Sequence, residues 1–253
     1  MKKITFSLIT LLLLGAVACR KNYFNTLPPD RNFNTPGNVT NSEAADMAAN
    51  SLSVNSNGVV NIIGDLTLDA ASYVRQHLGC GTLRSDTISR QSPAGSTTTY
   101  SYNLKYNYIV VCTNKVANSL SSSLIYSGSF SSPNLSQSNS GSSIFGVSGL
   151  DSAATNYVIN GEYKSAGSFQ SKTDTASHGS NNVDIVFTSL TLSKPSRTIA
   201  SGSATVSITG AVPRSGSFSY TGTLVFNGNG TATLTLNGTK YTINLNTGWW
   251  GPV

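Results

Sequence analysis

The sequence predicts an α+β fold that is mostly β, with an N-terminal helical pair packed on a large curled antiparallel β-meander sheet or sandwich. Three observations predict it. Helix signals are confined to residues about 41–78. From Leu83 onward, apolar residues recur at every second position, the period of a strand with one buried face. The runs are joined by turn chemistry, most clearly Asn227-Gly228-Asn229-Gly230 and Asn237-Gly238.

The first helix is expected at about 41–54. Asn41 or Ser42 suits the N-cap, and Glu43 and Asp46 sit in the first turn, where carboxylates favour the helix dipole. Alanines support the interior. Asn55 to Gly58 interrupts it. A second helix follows at about 59–78, with Ile62, Leu66, Ala70, Tyr73 or Val74, and His77 at helical spacing. Gly79 suits its end. Gly64 and the region of Thr67 run against it.

Strands are expected from about 83 to 246. The longest alternation places Tyr100, Tyr102, Leu104, Tyr106, Tyr108, Val110 and Cys112 on one face, with Ser101, Asn103, Lys105 and Asn107 on the other. Further runs lie at 124–130, 144–150, 157–169, 183–192, 199–210 and 218–226. The last three strands, 216–226, 231–237 and 239–246, form a meander. About nine or ten strands exceed what one flat sheet holds, so the sheet curls or splits. The outward side chains are serine, threonine and asparagine, suited to the watered face of an antiparallel sheet.

Residues 1–18 read as a secretory signal: Lys2 and Lys3, then an apolar run from Ile4 to Ala18. That run is short for a membrane span, which needs ~20 residues. Ala16-Val17-Ala18-Cys19 resembles the lipobox of bacterial lipoproteins, with Ala16 where leucine is usual. The resemblance implies cleavage before Cys19 and palmitate-type acylation of it; ordinary cleavage after Ala18 is the alternative. Two or more acyl chains give stable anchorage in a lipid bilayer. Arg20 stands where those lipoproteins carry aspartate for inner-membrane retention, which implies the outer membrane. Residues 19–39 form the lipidated cysteine and a flexible tether containing Pro28, Pro29, Pro36 and Gly37. Residues 40–253 then form a single β-rich domain.

Cys80 and Cys112 are left as an even pair in an oxidising compartment, which predicts a disulfide. On the chain-entropy account it contributes about 3–4 kcal/mol. A metal site is the rival, but His77 and His178 form no ligand-spaced cluster with both cysteines. No cofactor motif is present. Net charge is +6, two of it from Lys2 and Lys3, and the basic residues are scattered, so no nucleic-acid footprint is read.

No catalytic set stands out. Phe145-Gly146-Val147-Ser148-Gly149-Leu150 fails the spacing of a nucleophile elbow. His178 falls in a loop. Glu162 and Asp184 occupy polar strand positions where a paired-carboxylate chemistry would need them to meet. Trp249 and Trp250, adjacent near the C-terminus, are candidate ligand contacts, although neighbours on an extended chain face opposite ways.

The arrangement of lipobox, Asn/Pro tether, helical pair and Thr/Ser/Gly-rich meander resembles lipoproteins common in Bacteroidetes-type bacteria. That family brings location and fold, and no activity. The expected role is therefore a non-enzymatic, outer-membrane-anchored envelope protein whose β domain binds a glycan or another envelope protein, or serves a structural contact. The alternatives are a periplasmic carrier of an apolar ligand and, ranked last, a hydrolase. An apolar face filled by side chains separates binding module from carrier. A transmembrane barrel also alternates, but a lipobox and two helices that need an apolar surface speak against it.

Overall fold

A computed structural model describes residues 39–75 and 80–253. The signal segment, Cys19, residues 19–38 of the tether, His77 and Gly79 lie outside the described residues. Strands hold 61% of the described residues and helices 14%, so the fold is mostly β.

Helix α1 spans Asn41–Leu52. Its N-cap is Thr40, one residue before the expected cap. Thr40 Oγ1 accepts from the Glu43 amide while Glu43 reaches back to the Thr40 amide at 2.8 Å, a reciprocal box that neither Asn41 nor Ser42 can form with Glu43. A 3₁₀ turn, Val54–Ser56, follows, and α2 spans Val59–Arg75. Gly58 lies where a Cβ would sit 2.6 Å from the Leu52 carbonyl carbon, so the two helices can turn this tightly only with glycine there. α2 runs through Gly64 and Thr67, and the Thr67 hydroxyl, fully buried, is satisfied by bonding back to the Ile63 and Gly64 carbonyls.

Eleven strands follow: β1 Leu83–Gln91, β2 Thr99–Thr113, β3 Val116–Ser131, β4 Leu135–Ser148, β5 Asn156–Ser171, β6 His178–Ser193, β7 Ile199–Val212, β8 Gly216–Gly228, β9 Thr231–Leu236, β10 Thr239–Asn244 and β11 Trp250–Pro252. They form one open antiparallel sheet in strict chain order. The sheet curls and does not split. Asn237 and Gly238 both take positive φ (45° and 84°) in the β9–β10 hairpin, as a two-residue turn between twisted strands requires.

Curling has visible causes. Register breaks fall at Val111/Cys112, Ile159/Gly161, Thr188/Thr191 and Phe226/Gly228, and bulges of this kind bend strands. On the inner face, rings lie across directly paired glycines: Tyr102 on Gly128, Tyr126 on Gly141, Phe145 on Gly161 and Phe218 on Gly210. Each glycine omits the Cβ that the ring would strike, so rings fold flat and the strands close up.

The helices cover most of the inner face and leave one hollow of about 880 Å³ between α2, at Val60, Gly64 and Leu68, and the chain around Ile199, Asn229 and Leu245. Every residue of α1 from Glu43 to Leu52 is buried, and the helix packs against β4, β6, β7, β9, β10 and β11. α2 packs on β3 and β4. The 3₁₀ turn touches β2, and its amides bond to the far end of the sheet: Val54 N to Leu245 O at 2.9 Å and Asn55 N to Asn246 O at 3.0 Å. One short segment thus joins the first strands to the last. The C-terminus returns as well. The Trp250 indole N–H donates to Asp46 Oδ1 at 2.6 Å, and its ring meets Tyr241 edge-on at 5.2 Å.

Cys80 and Cys112 are bonded, with Cα atoms 5.7 Å apart, tying the turn before β1 to the end of β2.

Candidate functional site

Among the described residues, most outward side chains on the outer face of the sheet are exposed along β2 to β8. Register aligns its side chains in rows. One row reads Gln91, Ser101, Ser129, Ser138, Ser168, Ser180 across β1 to β6. The next reads Ser89, Asn103, Ser127, Ser140, Ala166, Asn182. Further along, β7 to β9 bring Thr205, Thr223 and Thr235 into line. These side chains are short and uncharged, so the surface is low and dense in hydroxyl and amide groups.

Four concavities run over this face and share residues. The first, about 910 Å³, starts at Gln91 and His178 on one rim. It meets a second of about 620 Å³ through Ser101, Ser129, Ser138 and Ser168. Ser140 and Ala166 lead into a third of about 510 Å³, and Asp184 joins that to a fourth of about 460 Å³ reaching Thr221 and Thr223. Together they make one diagonal groove from β1 to β8. Seven strand spacings of ~4.8 Å give it a run of roughly 34 Å.

Midway along lies the one charged cluster of the groove. Lys164 Nζ is 2.6 Å from Glu162 Oε1 and 4.0 Å from Asp184 Oδ2. The Glu162 hydrogen bond holds the Lys164 ammonium above its usual range. Desolvation, and then the Glu162 charge, push the Asp184 carboxyl up, and its Oδ1 is buried with no bonding partner. The structure therefore brings Glu162 and Asp184 together around a shared lysine. Ile125 and Ile144, 62% and 64% exposed, stand on the same face beside the cluster, and Ile144 pairs directly with Glu162. Hydroxyls, amides, two carboxylates and aliphatic patches along one channel can hydrogen-bond a polar chain and cover its C–H faces.

A second polar cluster docks α2. Arg90 binds Asp65 at 2.6 Å and Asn57 at 3.3 Å, Tyr106 donates to Asp65 at 3.1 Å, and Tyr73 donates to Tyr108 at 2.6 Å. Arg84 lies over the Tyr73 ring. Burial, then Asp65 and Asp86, push Asp69 up to about 6, with Arg90 opposing.

The other residues singled out from sequence fall in different places. His178 opens β6 on the groove rim and is not in a loop: the alternation of β6 begins there, and His178 pairs with Gln170. Trp250 starts β11, a strand the sequence pattern missed because it is three residues long. Its indole N–H is taken by Asp46. Trp249 is 65% exposed and lies over Gly251, away from the groove. Among the described residues, no group of three His, Cys, Asp or Glu is placed to hold a metal ion. Alternation had already put the groove side chains on one face. Their meeting, and Lys164 between the carboxylates, depend on cross-strand register.

No family model, no curated protein and no solved structure matches this chain.

Proposed function

We propose that this protein is a lipid-anchored cell-envelope binding module whose outer sheet face holds an extended, hydroxyl-bearing glycan. The observation that carries this reading is the continuous groove from Gln91 to Thr223, lined by short hydrogen-bonding side chains and lacking any strong single-sign field. Neutral hydroxylated chains match such a lining, because each hydroxyl both donates and accepts. The buried α1 supports a surface role over the carrier alternative, since that helix occupies much of the apolar face and the hollow beside α2 is bordered by polar groups such as Asn61, Asp65, Arg197, Asn227 and Asn246. The lipobox-like segment ending at Cys19 supports anchorage.

The test is co-sedimentation of the full chain with envelope polysaccharides, followed by a glycan array. Ala166→Trp and Ser140→Arg fill the groove floor and should each weaken retention at least tenfold. Lys115→Glu, in the β2–β3 turn, should leave it unchanged. Equal retention by filled and unfilled proteins, or no retained glycan, overturns the reading. A tightly held lipid-sized mass in a native mass spectrum would restore the carrier. Anchorage is read separately: Cys19→Ser should move the protein from the membrane to the soluble fraction.

A further inference from the structure

The two edges of the sheet are unequal. β11 ends one edge with three residues, whereas β1 ends the other with nine, paired among the described residues to β2 alone. Hydrogen-bond parity along β1 follows from its end. The Ser92 amide bonds to the Tyr100 carbonyl at 3.0 Å, in the same register that pairs Gln91 with Ser101. In an antiparallel ladder hydrogen-bonded pairs alternate, so even-numbered residues of β1 bond to β2. Leu83, Ser85, Thr87, Ser89 and Gln91 thus aim their N–H and C=O groups at the open edge. The Thr87 amide bears this out: its one partner among the described residues is the side chain of the preceding Asp86, at 2.8 Å. All five are exposed. A free edge of this length templates another strand.

We propose that β1 pairs antiparallel with β1 of a second copy of this chain, about a two-fold axis through Ile88. Charge selects that register. Centred on Ile88, Asp86 faces Arg90 of the second copy twice over, Thr87 faces Ser89, and Ser85 faces Gln91. Centred on Thr87, Arg84 would face Arg90; centred on Asp86, the two Asp86 carboxylates would face each other. A centre at Ser85 also opposes Asp86 to Arg84 but pairs five residues instead of seven. In the Ile88 register the odd residues form the hydrogen-bonded pairs and the even ones the close non-bonded pairs, which suits both the free amides and the Asp86–Arg90 contacts. Asp86 leaves the Thr87 amide for Arg90, freeing that amide for the Ser89 carbonyl across the seam. Arg90 keeps Asp65, because a guanidinium has donors for two carboxylates. The contact is small beside standard interfaces, so the pairing is weak and concentration-dependent.

Cysteine trapping tests it in the full chain carrying Cys19→Ser. Ile88→Cys puts a thiol on the axis, about 4.5–5.5 Å from its copy, and mild oxidation should give a covalent dimer. Ile88 packs on the core, so exposed positions carry the same test: Thr87→Cys and Ser89→Cys chains, mixed, should cross-link at least fivefold more than either alone. In the proposed register each alone stands diagonal to its copy at about 7–8 Å, beyond disulfide reach. Stronger cross-linking by Thr87→Cys alone overturns the register. No dimer from either arrangement overturns the pairing.

Discussion

Trp250→Phe isolates one hydrogen bond at the junction of the C-terminus and α1. Phenylalanine keeps a ring against Tyr241 and removes the N–H that reaches Asp46 Oδ1 at 2.6 Å. Asp46 is then left with Asn134 at 3.3 Å. Burial already holds its carboxyl above the ordinary 3.8, with Trp250 and Asn134 pulling the other way. Losing Trp250 raises it further. The sign follows from linkage: a carboxyl whose folded value exceeds its unfolded value costs stability as pH rises through that interval, and costs nothing when both states are protonated. A hydrogen bond to a charged group is worth about 1.5–3 kcal/mol, which sets the expected loss at pH 7. The smaller ring adds about 1 kcal/mol at every pH. Urea unfolding of both proteins at pH 7 and pH 3.5 reads the difference. Destabilisation should fall from about 2.5–4 kcal/mol to about 1.5–2.5 kcal/mol, because a protonated carboxyl still accepts the indole N–H as a neutral hydrogen bond worth about 0.5–1.5 kcal/mol. An equal loss at both pH values would refute a charged Asp46 as the acceptor. Asp46→Asn in the Trp250→Phe background should abolish the pH dependence.

Replacing both Cys80 and Cys112 with serine opens a cross-link between residues 32 apart, and should cost about 3–4 kcal/mol in urea, with a loss under 1 kcal/mol counting against the bond. Asp69, at about 6 when folded against 3.8, weakens the protein as pH rises from about 4 to above 6; Asp69→Asn should therefore raise Tm at pH 7.5 and leave it unchanged at pH 3.5, and a lower Tm at pH 7.5 would contradict this. Gly141→Ala sets a Cβ 1.9 Å from the Lys164 carbonyl and 2.5 Å from the Tyr126 hydroxyl, so chemical denaturation should show a loss of about 2–3 kcal/mol, the range for overpacked interiors; a neutral result would mean the ring–glycine pair is loose.

Fold class was legible because two periods divide the chain cleanly. Ile62, Leu66 and Ala70 keep helical spacing and are all buried, and Tyr102, Leu104, Tyr106 and Tyr108 keep strand spacing and are all buried. Boundaries were less legible. The cap at Thr40 depends on a reciprocal bond to Glu43, and β11 is too short to show a period. The groove was half legible. Alternation assigns Ser140, Ala166 and Asp184 to the polar face, but which of them are neighbours is set by register, and register here passes through bulges that no local pattern announces. Ring–glycine pairs were hidden for the same reason. Gly128 reads as a weak spot in a strand until Tyr102, 26 residues earlier, is seen to lie across it.

The unequal edges follow from where the helices sit. α1 and the 3₁₀ turn lie against the last strands, so the β10–β11 end is drawn into the core by Trp250, Leu245 and Asn246. That end needs no further strand, and three residues suffice to finish it. At the other end, α2 holds β1 only through side chains on its inner face, chiefly Arg90 to Asp65 and Arg84 over Tyr73. Those contacts fix the face of β1 and leave its edge amides unserved. Buried or unpaired backbone groups are costly, whereas amides at a watered edge are not. A sheet that serves one edge with its own helices and leaves the other wet keeps a single direction for growth, and Asp86 and Arg90 limit that growth to one partner, since the two-fold pairing consumes the edge of both copies.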